Sequence, residues 1–351
     1  MTQAIALSLT VPPVLSKTDE IALTDLYVRG TPANTLRAYE RDLIYLTAWK
    51  GIRLKQGLNW PETESTALSF LLDHARDLRD ADLGDPARVT AETLIKAGLR
   101  KSLTCPAPST LDRRIASWRA FHRMRNLNSP FEAPLIRQAR TKARRAAARP
   151  HTPKSARPIT REVLEALLEA CGSSLRGVRD RAILAVGWAS GGRRRSEIVG
   201  FRCEDVSLED FEKQGLIWLN MVETKTTQQG RTPRLVLKGR AARLLVAWID
   251  AGGIGDGPLF RAISKADRPL ARGLSPDAIY QILKRRLQQA GLPENYATPH
   301  GLRSGFLTQA ALDGAPIQAA MRLSLHRSAL QAQRYYDDVE ITENPATDLL
   351  E

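Results

Sequence analysis

Residues 137–161, RQARTKARRAAARPHTPKSARPITR, divide this 351-residue chain. The stretch holds nine Lys or Arg and no Asp or Glu, and Pro150, Pro153 and Pro158 punctuate its second half. Its first half reads as the end of a basic helix. Its second half reads as an extended linker, because proline lacks the N–H that a helix needs and clashes with the preceding turn. Arg137, Arg140, Lys142, Arg144, Arg145, Arg149, Lys154 and Arg157 stand as candidates to follow a phosphate backbone. A boundary here gives two domains, the number that the length suggests.

Composition narrows the partner. A formal net charge of +14 and a pI near 10.0 in a chain that is 43% hydrophobic describe a packed protein that meets a polyanion, of which nucleic acid is the commonest. Cys105, Cys171 and Cys203 are odd in number and far apart. Neither a disulfide framework nor a zinc site has that spacing, so a reducing cytoplasm is expected and no metal is. No apolar run reaches the ~20 residues of a membrane span. The N-terminal MTQAIALSLTVPPVLSK has no basic stretch ahead of its apolar residues, unlike a signal peptide, and residues 1–17 are expected to be a flexible arm.

Residues 18–145 read as an all-helical bundle. Leu36, Tyr39, Leu43 and Leu46 recur at helical spacing, with Asn34 or Thr35 as cap. A second stripe is Ala67, Leu68, Phe70, Leu71, Leu72 and Ala75. A third is Leu111, Ile115, Trp118 and Phe121, with Ser109 and Thr110 as cap candidates. Residues 146–158 form the linker. From 159 to 340 the pattern mixes. ITREVLEALLEACG is a helix capped by Thr160 and stopped at Gly172, and RGVRDRAILAVGWASGG is a central one. GLIWLNMVE and TPRLVLKG alternate and are rich in β-formers, so they form a small sheet. Helical segments then run to residue 340, and 341–351 is a tail. The fold class is mainly α with a small antiparallel sheet in the C-terminal domain.

Four segments of that second domain carry chemistry. GGRRRSEIVGF places Arg193, Arg194 and Arg195 in a turn, with Glu197 about one helical turn beyond Arg194. A guanidinium holds two phosphate oxygens in a planar fork. TKT places Lys225 between the two strands, where an ammonium can protonate a leaving oxygen. TPHGLRSGF places His300 and Arg303 one turn apart, so both can face one phosphate. His122 and Arg125 repeat that His-x-x-Arg spacing in the first domain without partner motifs, and His122 reads there as structural or as a backbone contact. LHRSALQAQRYYDDV brings His326, Tyr335 and Tyr336. Adjacent tyrosines on a helix point about 100° apart, so only one can reach a shared phosphate.

The order and context of these residues resemble the tyrosine recombinase (phage integrase) family, and within it the Cre-type site-specific recombinases. The resemblance selects Arg194 from the three arginines by its Gly-x-Arg-x-Ser-Glu-like turn, with Glu197 orienting groups behind it. It assigns Lys225 as general acid and His300, Arg303 and His326 to the scissile phosphate. The family's spacing of nine from His to the nucleophile selects Tyr335 over Tyr336. One departure is Leu325, where many relatives have Gly before the His.

The resemblance implies a two-domain DNA clamp made of a helical core-binding domain and a catalytic domain. It implies cleavage and rejoining of DNA through a 3′-phosphotyrosyl link and a four-way Holliday junction, without metal, cofactor or ATP. The expected partner is double-stranded DNA with inverted-repeat target sites, bound by a homo-tetramer on synapsed DNA in the cytoplasm, at the nucleoid and not on a membrane. The acidic tail is expected to dock on a neighbouring protomer. Two alternatives use related machinery: a type IB topoisomerase or telomere resolvase, and a non-catalytic DNA-binding protein derived from a recombinase.

Overall fold

Prolines set the helix starts of the first unit. Pro86, Pro108 and Pro134 each stand at the first turn of a helix, where the missing N–H is not needed and φ is already helical. The computed structural model describes residues 16–147, 154–221, 233–326 and 328–340. The chain divides into two compact units, Met1–His151 and Thr152–Glu351.

Among its described residues the first unit has helices and no strand: α1 (Lys17–Gly30), α2 (Ala33–Leu54), α3 (Glu64–Ala75), α4 (Pro86–Lys96), α5 (Pro108–Met124) and α6 (Pro134–Ala146). Its core is aromatic. Trp49 of α2, Phe70 of α3 and Trp118 of α5 meet edge to face, with ring centroids 4.9 to 6.3 Å apart. Leu111, Ile115, Trp118 and Phe121 are all buried, but Leu72 of the second predicted stripe faces solvent. Two expected caps are displaced. The residue capping α2 is Pro32, not Asn34 or Thr35, and the one capping α5 is Ala107, not Ser109 or Thr110. The sequence stripes do not show α4, although Asp85 caps it by accepting from the N–H groups of Ala87 and Arg88.

The second unit packs helices around a small sheet. It runs α7 (Arg161–Glu169), α8 (Leu175–Ala189), α9 (Arg195–Gly200), β1 (Val206–Ser207), α10 (Phe211–Gln214), β2 (Leu216–Asn220), β3 (Arg234–Lys238) and α11 (Gly239–Gly252). A hairpin of β4 (Arg261–Ile263) and β5 (Pro269–Gly273) follows, then α12 (Pro276–Gln289), α13 (His300–Leu312), α14 (Ile317–Ser324) and α15 (Ala329–Glu340). The sheet is antiparallel in the order β1-β2-β3, and Trp218 sits opposite Val236. Ile217, Leu219, Leu235 and Leu237 point inward from it toward α11, whose Trp248 is fully buried, and share one core with the apolar residues of α8.

Below the core, a buried carboxylate joins helices. Asp180 of α8 accepts from Arg179 at 2.7 Å and from Arg286 of α12 at 2.6 Å. Among the described residues, no helix is long and apolar enough to cross a membrane.

Candidate active site

The arginine turn between α8 and α9 is packed from both sides. Gly192 has φ +70, and a Cβ there would come within 2.3 Å of the Arg303 Cα. Only glycine tolerates both conditions. The carbonyl of Gly192 accepts from Nη1 of Arg303 at 3.1 Å. The turn of Arg194 is thereby packed directly against the backbone of the Arg303 helix and tied to it by the Arg303 side chain.

Within the turn the three arginines part. Arg193 is 1% exposed; its Nη2 donates to the Leu323 carbonyl at 2.7 Å and its Nη1 lies 3.8 Å from Glu197 Oε2. Arg194 caps α9 and keeps a partly exposed side chain, with Nη1 at 2.5 Å from Glu197 Oε1. Arg195 turns outward to Asp277 of α12 at 3.7 Å. Glu197 also accepts from the Arg194 backbone N–H at 3.1 Å. It therefore orients the arginine that reaches open space.

His300 and Arg303 share the first turn of α13. Behind that helix runs the segment 154–159, and Gly305 lets it pass, since a Cβ there would come within 1.8 Å of the Ile159 carbonyl oxygen. A cavity of about 340 Å³ opens in front, lined by Lys154, Arg194, Arg195, Tyr280, His300 and Arg303, among others. Tyr335 of α15 sets its hydroxyl 3.4 Å from Nε2 of His300. Tyr336 points the other way: it is buried and donates to the Ala315 carbonyl at 3.0 Å.

His326 follows α14 and lies along the Arg303 guanidinium. Nε of Arg303 is 3.2 Å from its Nε2 and Nη2 is 3.0 Å from its Nδ1, while Ser324 Oγ is 2.8 Å from Nδ1. A guanidinium only donates, so this contact favours an unprotonated ring. Leu325, the C-cap of α14, has φ 54, the left-handed conformation that glycine adopts without strain and that costs a bulkier residue about 1 kcal/mol. That is the position where the sequence departs from many relatives.

Charge in the site follows from burial and crowding. Burial, then Lys154, Arg303 and Arg194, pushes His300 down to about 4. Burial, then Arg303 and Arg194, pushes His326 down to about 3. Burial together with Arg193 and Arg194 lowers Arg303 to about 10, so it stays charged at neutral pH. The site is thus two neutral imidazoles and a phenol among guanidinium cations. Such a cavity suits a phosphodiester: its charge is matched by the arginines, and a neutral imidazole beside a phenol can take the phenol's proton.

Of the residues expected from sequence, Arg194, Glu197, His300, Arg303, His326 and Tyr335 come together here. Lys225 lies outside the described residues, as do Arg149, the 1–15 part of the expected arm and the tail 341–351. Lys154 lines the cavity, whereas Arg157 stacks toward the Tyr296 ring at 5.5 Å. On α6, Arg137 pairs with Glu132, and Arg140 and Arg144 pair with Asp112. Lys142 and Arg145 are exposed on that helix. His122 is structural: it is buried, and its Nε2 accepts from the Glu62 backbone N–H at 3.2 Å while Nδ1 meets the Trp118 carbonyl. Sequence reasoning missed Tyr280 and Ser324, and it named Arg193 only as one of three arginines in the turn. No local signal marks Ser324 or distinguishes Arg193 from its neighbours, and Tyr280 sits about one turn into α12 with nothing in the local sequence to mark it.

Residues 157–340 match the phage integrase family. An integrase/recombinase XerD homolog of Selenomonas ruminantium is 27% identical over 320 residues, covering 89% of this chain and 84% of that protein. Tyrosine recombinase XerD of Xanthomonas axonopodis pv. citri is 32% identical over 201 residues, 53% of this chain and 60% of that protein. In fold, the chain is similar to the Tn1549 transposon integrase solved in complex with a circular intermediate DNA, with a TM-score of 0.54 at 16% identity, covering 90% of this chain and 92% of that one. With the family match spanning more than half of its length, the chain belongs to the phage integrase family and is a tyrosine-type site-specific recombinase.

Proposed function

We propose that the protein breaks and rejoins duplex DNA at specific sites, with Tyr335 as nucleophile. The observation that carries this reading is the Tyr335 hydroxyl 3.4 Å from the neutral His300, at a cavity flanked by Arg194 and Arg303. The phenol oxygen attacks phosphorus and the P–O5′ bond breaks, leaving a 3′-phosphotyrosyl link and a free 5′ hydroxyl. His300 takes the phenol proton. Arg194, Arg303 and His326 stabilise charge on the non-bridging oxygens. Lys225 gives its proton to the leaving 5′ oxygen. The link keeps the energy of the phosphodiester, so a 5′ hydroxyl from a second duplex can attack it and reseal without metal or ATP.

Exchange between two sites then passes through a Holliday junction, held by four protomers on paired inverted-repeat sites in a Cre-like arrangement. The tail 341–351 docks on a neighbouring protomer and couples the sites. Lys142, Arg145 and Arg149, with Arg137, Arg140, Arg144 and Arg157, contact the backbone beside the core site. The charge of +14 and the free cysteines agree with a protein that works on DNA in the cytoplasm, at the nucleoid.

Trapping tests the reading. The protein is incubated with host DNA fragments carrying nicked candidate sites, and SDS-resistant adducts are isolated. Wild type and Tyr336→Phe are expected to form an adduct that Tyr335→Phe does not, and sequencing the trapped DNA defines the site. DNA binding without an adduct in any variant would replace this reading with a non-catalytic one.

A further inference from the structure

Residues 154–159 are fastened to the lead-in of α13. The Lys154 carbonyl accepts from Thr298 Oγ1 at 2.8 Å, and the buried Ser155 hydroxyl accepts from the Thr298 N–H at 3.0 Å. Ser155 Oγ also donates to the Arg157 carbonyl at 2.9 Å. The N–H of Arg157 donates to Tyr296 at 3.0 Å and that of Ile159 to Gly301 at 2.9 Å. Gly301 has no Cβ to spare, since one would come within 2.8 Å of Ser155 Oγ. These bonds fix the Lys154 backbone while its side chain stays exposed on the wall of the cavity that holds Arg194, His300 and Arg303. A lysine on a free linker samples many positions. This one is tethered at the mouth of the phosphate cavity.

We propose that Lys154 is a phosphate-binding residue of the active site: its ammonium contacts a non-bridging oxygen of the scissile phosphate. The inference rests on the recombinase reading above and adds a group to it. An ammonium is a compact point charge, suited to an oxygen that the planar guanidinium forks of Arg194 and Arg303 leave uncovered. Its charge also bears on His300. The groups facing that imidazole are Lys154, Arg194 from its turn, Arg303 from its own helix and Tyr335 from α15. After burial, Lys154 is the largest influence holding His300 neutral. Lys154 thus has a task distinct from that of Lys225: it holds the phosphate and gives up no proton.

The experiment uses the full chain, a nicked suicide duplex carrying a trapped site, and a second duplex with sulfur in place of the bridging 5′ oxygen. A thiolate leaves without a proton, so the sulfur duplex rescues loss of a proton donor but not loss of a phosphate contact. Adduct formation is followed in a single turnover with protein saturating. Lys154→Met is expected to slow it by about tenfold or more on both duplexes, and Lys154→Arg to restore most of the rate. In Lys154→Met, the acid limb of the pH profile should move to higher pH, because His300 loses a cation. Since Lys154 is exposed, the melting temperature should not change. Weaker binding with an unchanged saturated rate would make Lys154 an ordinary backbone contact and overturn the proposal. So would a defect that disappears on the sulfur duplex. Failure of the recombinase reading itself would look different, with no adduct from the wild type.

Discussion

Nη2 of Arg193 donates a 2.7 Å hydrogen bond to the carbonyl of Leu323, 130 residues away in sequence. This bond joins the arginine turn to the last turn of α14, just before Ser324 and His326. The same guanidinium leaves its Nε buried without a partner. Arg193 is therefore a buried cation whose compensation comes from the carbonyls of Leu323 and, at 3.4 Å, Gly191, and from Glu197, which it shares with Arg194.

That sharing ranks two substitutions. Glu197→Gln removes the carboxylate near a side chain that is 1% exposed and leaves the Arg193 charge uncompensated, a loss of about 3 kcal/mol. Arg193→Met removes the cation together with its unpaired Nε, and Glu197 keeps Arg194. Its cost should be smaller, about 1 kcal/mol for the bond to Leu323. Urea unfolding of both variants checks the order, and the reverse order would show that Glu197 does not serve Arg193.

The pH dependence of cleavage has a definite sign. His300, pushed down to about 4 in the free protein, is neutral and ready to accept a proton at any pH well above that. A bound phosphodiester is anionic and moves this value upward. Single-turnover adduct formation should be flat near neutrality and fall as pH drops through the shifted value. A rate that rises on acidification would instead make His300 a proton donor.

A second histidine governs acid stability of the first unit. His74 is buried with Tyr45 Oη 2.6 Å from its Nε2, and burial lowers it from 6.5 to about 3. The folded state keeps it neutral while the unfolded state protonates it. Its contribution is therefore complete above 6.5 and is lost as pH falls toward 3, about 2 kcal/mol by pH 5. His122 is lowered in the same direction, again chiefly by burial. Thermal unfolding at pH 7 and pH 5.5 should show a loss that is smaller in His74→Gln. An equal loss in the variant would assign it elsewhere.

On α6, three arginines already pair with carboxylates, while Lys142 and Arg145 are exposed. Lys142→Ala and Arg145→Ala should each weaken DNA binding and lower the slope of log affinity against log salt by about 0.9. Arg140→Ala should change the slope less, since Asp112 already neutralises it. Titrations at several salt concentrations read this directly.

Much of the site was legible because its parts are local. His300 and Arg303 share a helical turn, Glu197 follows Arg194 by three residues, and the spacing from His326 to Tyr335 is fixed within one helix start. Thr160 does hold the N-cap position of α7, ahead of its apolar stripe, although its side chain makes no capping hydrogen bond. What sequence did not reveal depends on distant partners. Arg193, Arg194 and Arg195 read alike, yet their side chains are 1%, 37% and 50% exposed, because Leu323, Glu197 and Asp277 sort them. The hairpin of β4 and β5 has no alternation to announce it; β5 holds half-buried and exposed residues and no fully buried one. Asn34 and Ser109 look like caps, but a proline just upstream starts each helix earlier.

The opposed directions of Tyr335 and Tyr336 have a consequence for genetics. Tyr336 anchors α15 by packing its ring with Leu307 and Ala320 as well as by its bond to the Ala315 carbonyl, so a truncation such as Tyr336→Ala, unlike Tyr336→Phe, can idle the enzyme by letting the helix drift, with its chemistry intact. An alanine screen that scores only recombinant colonies would record either tyrosine as essential. Suppressors should separate them: a compensating change in the packing of α13 or α14 can restore a Tyr336 mutant, whereas no change elsewhere can supply the oxygen that Tyr335 lacks when it becomes Phe.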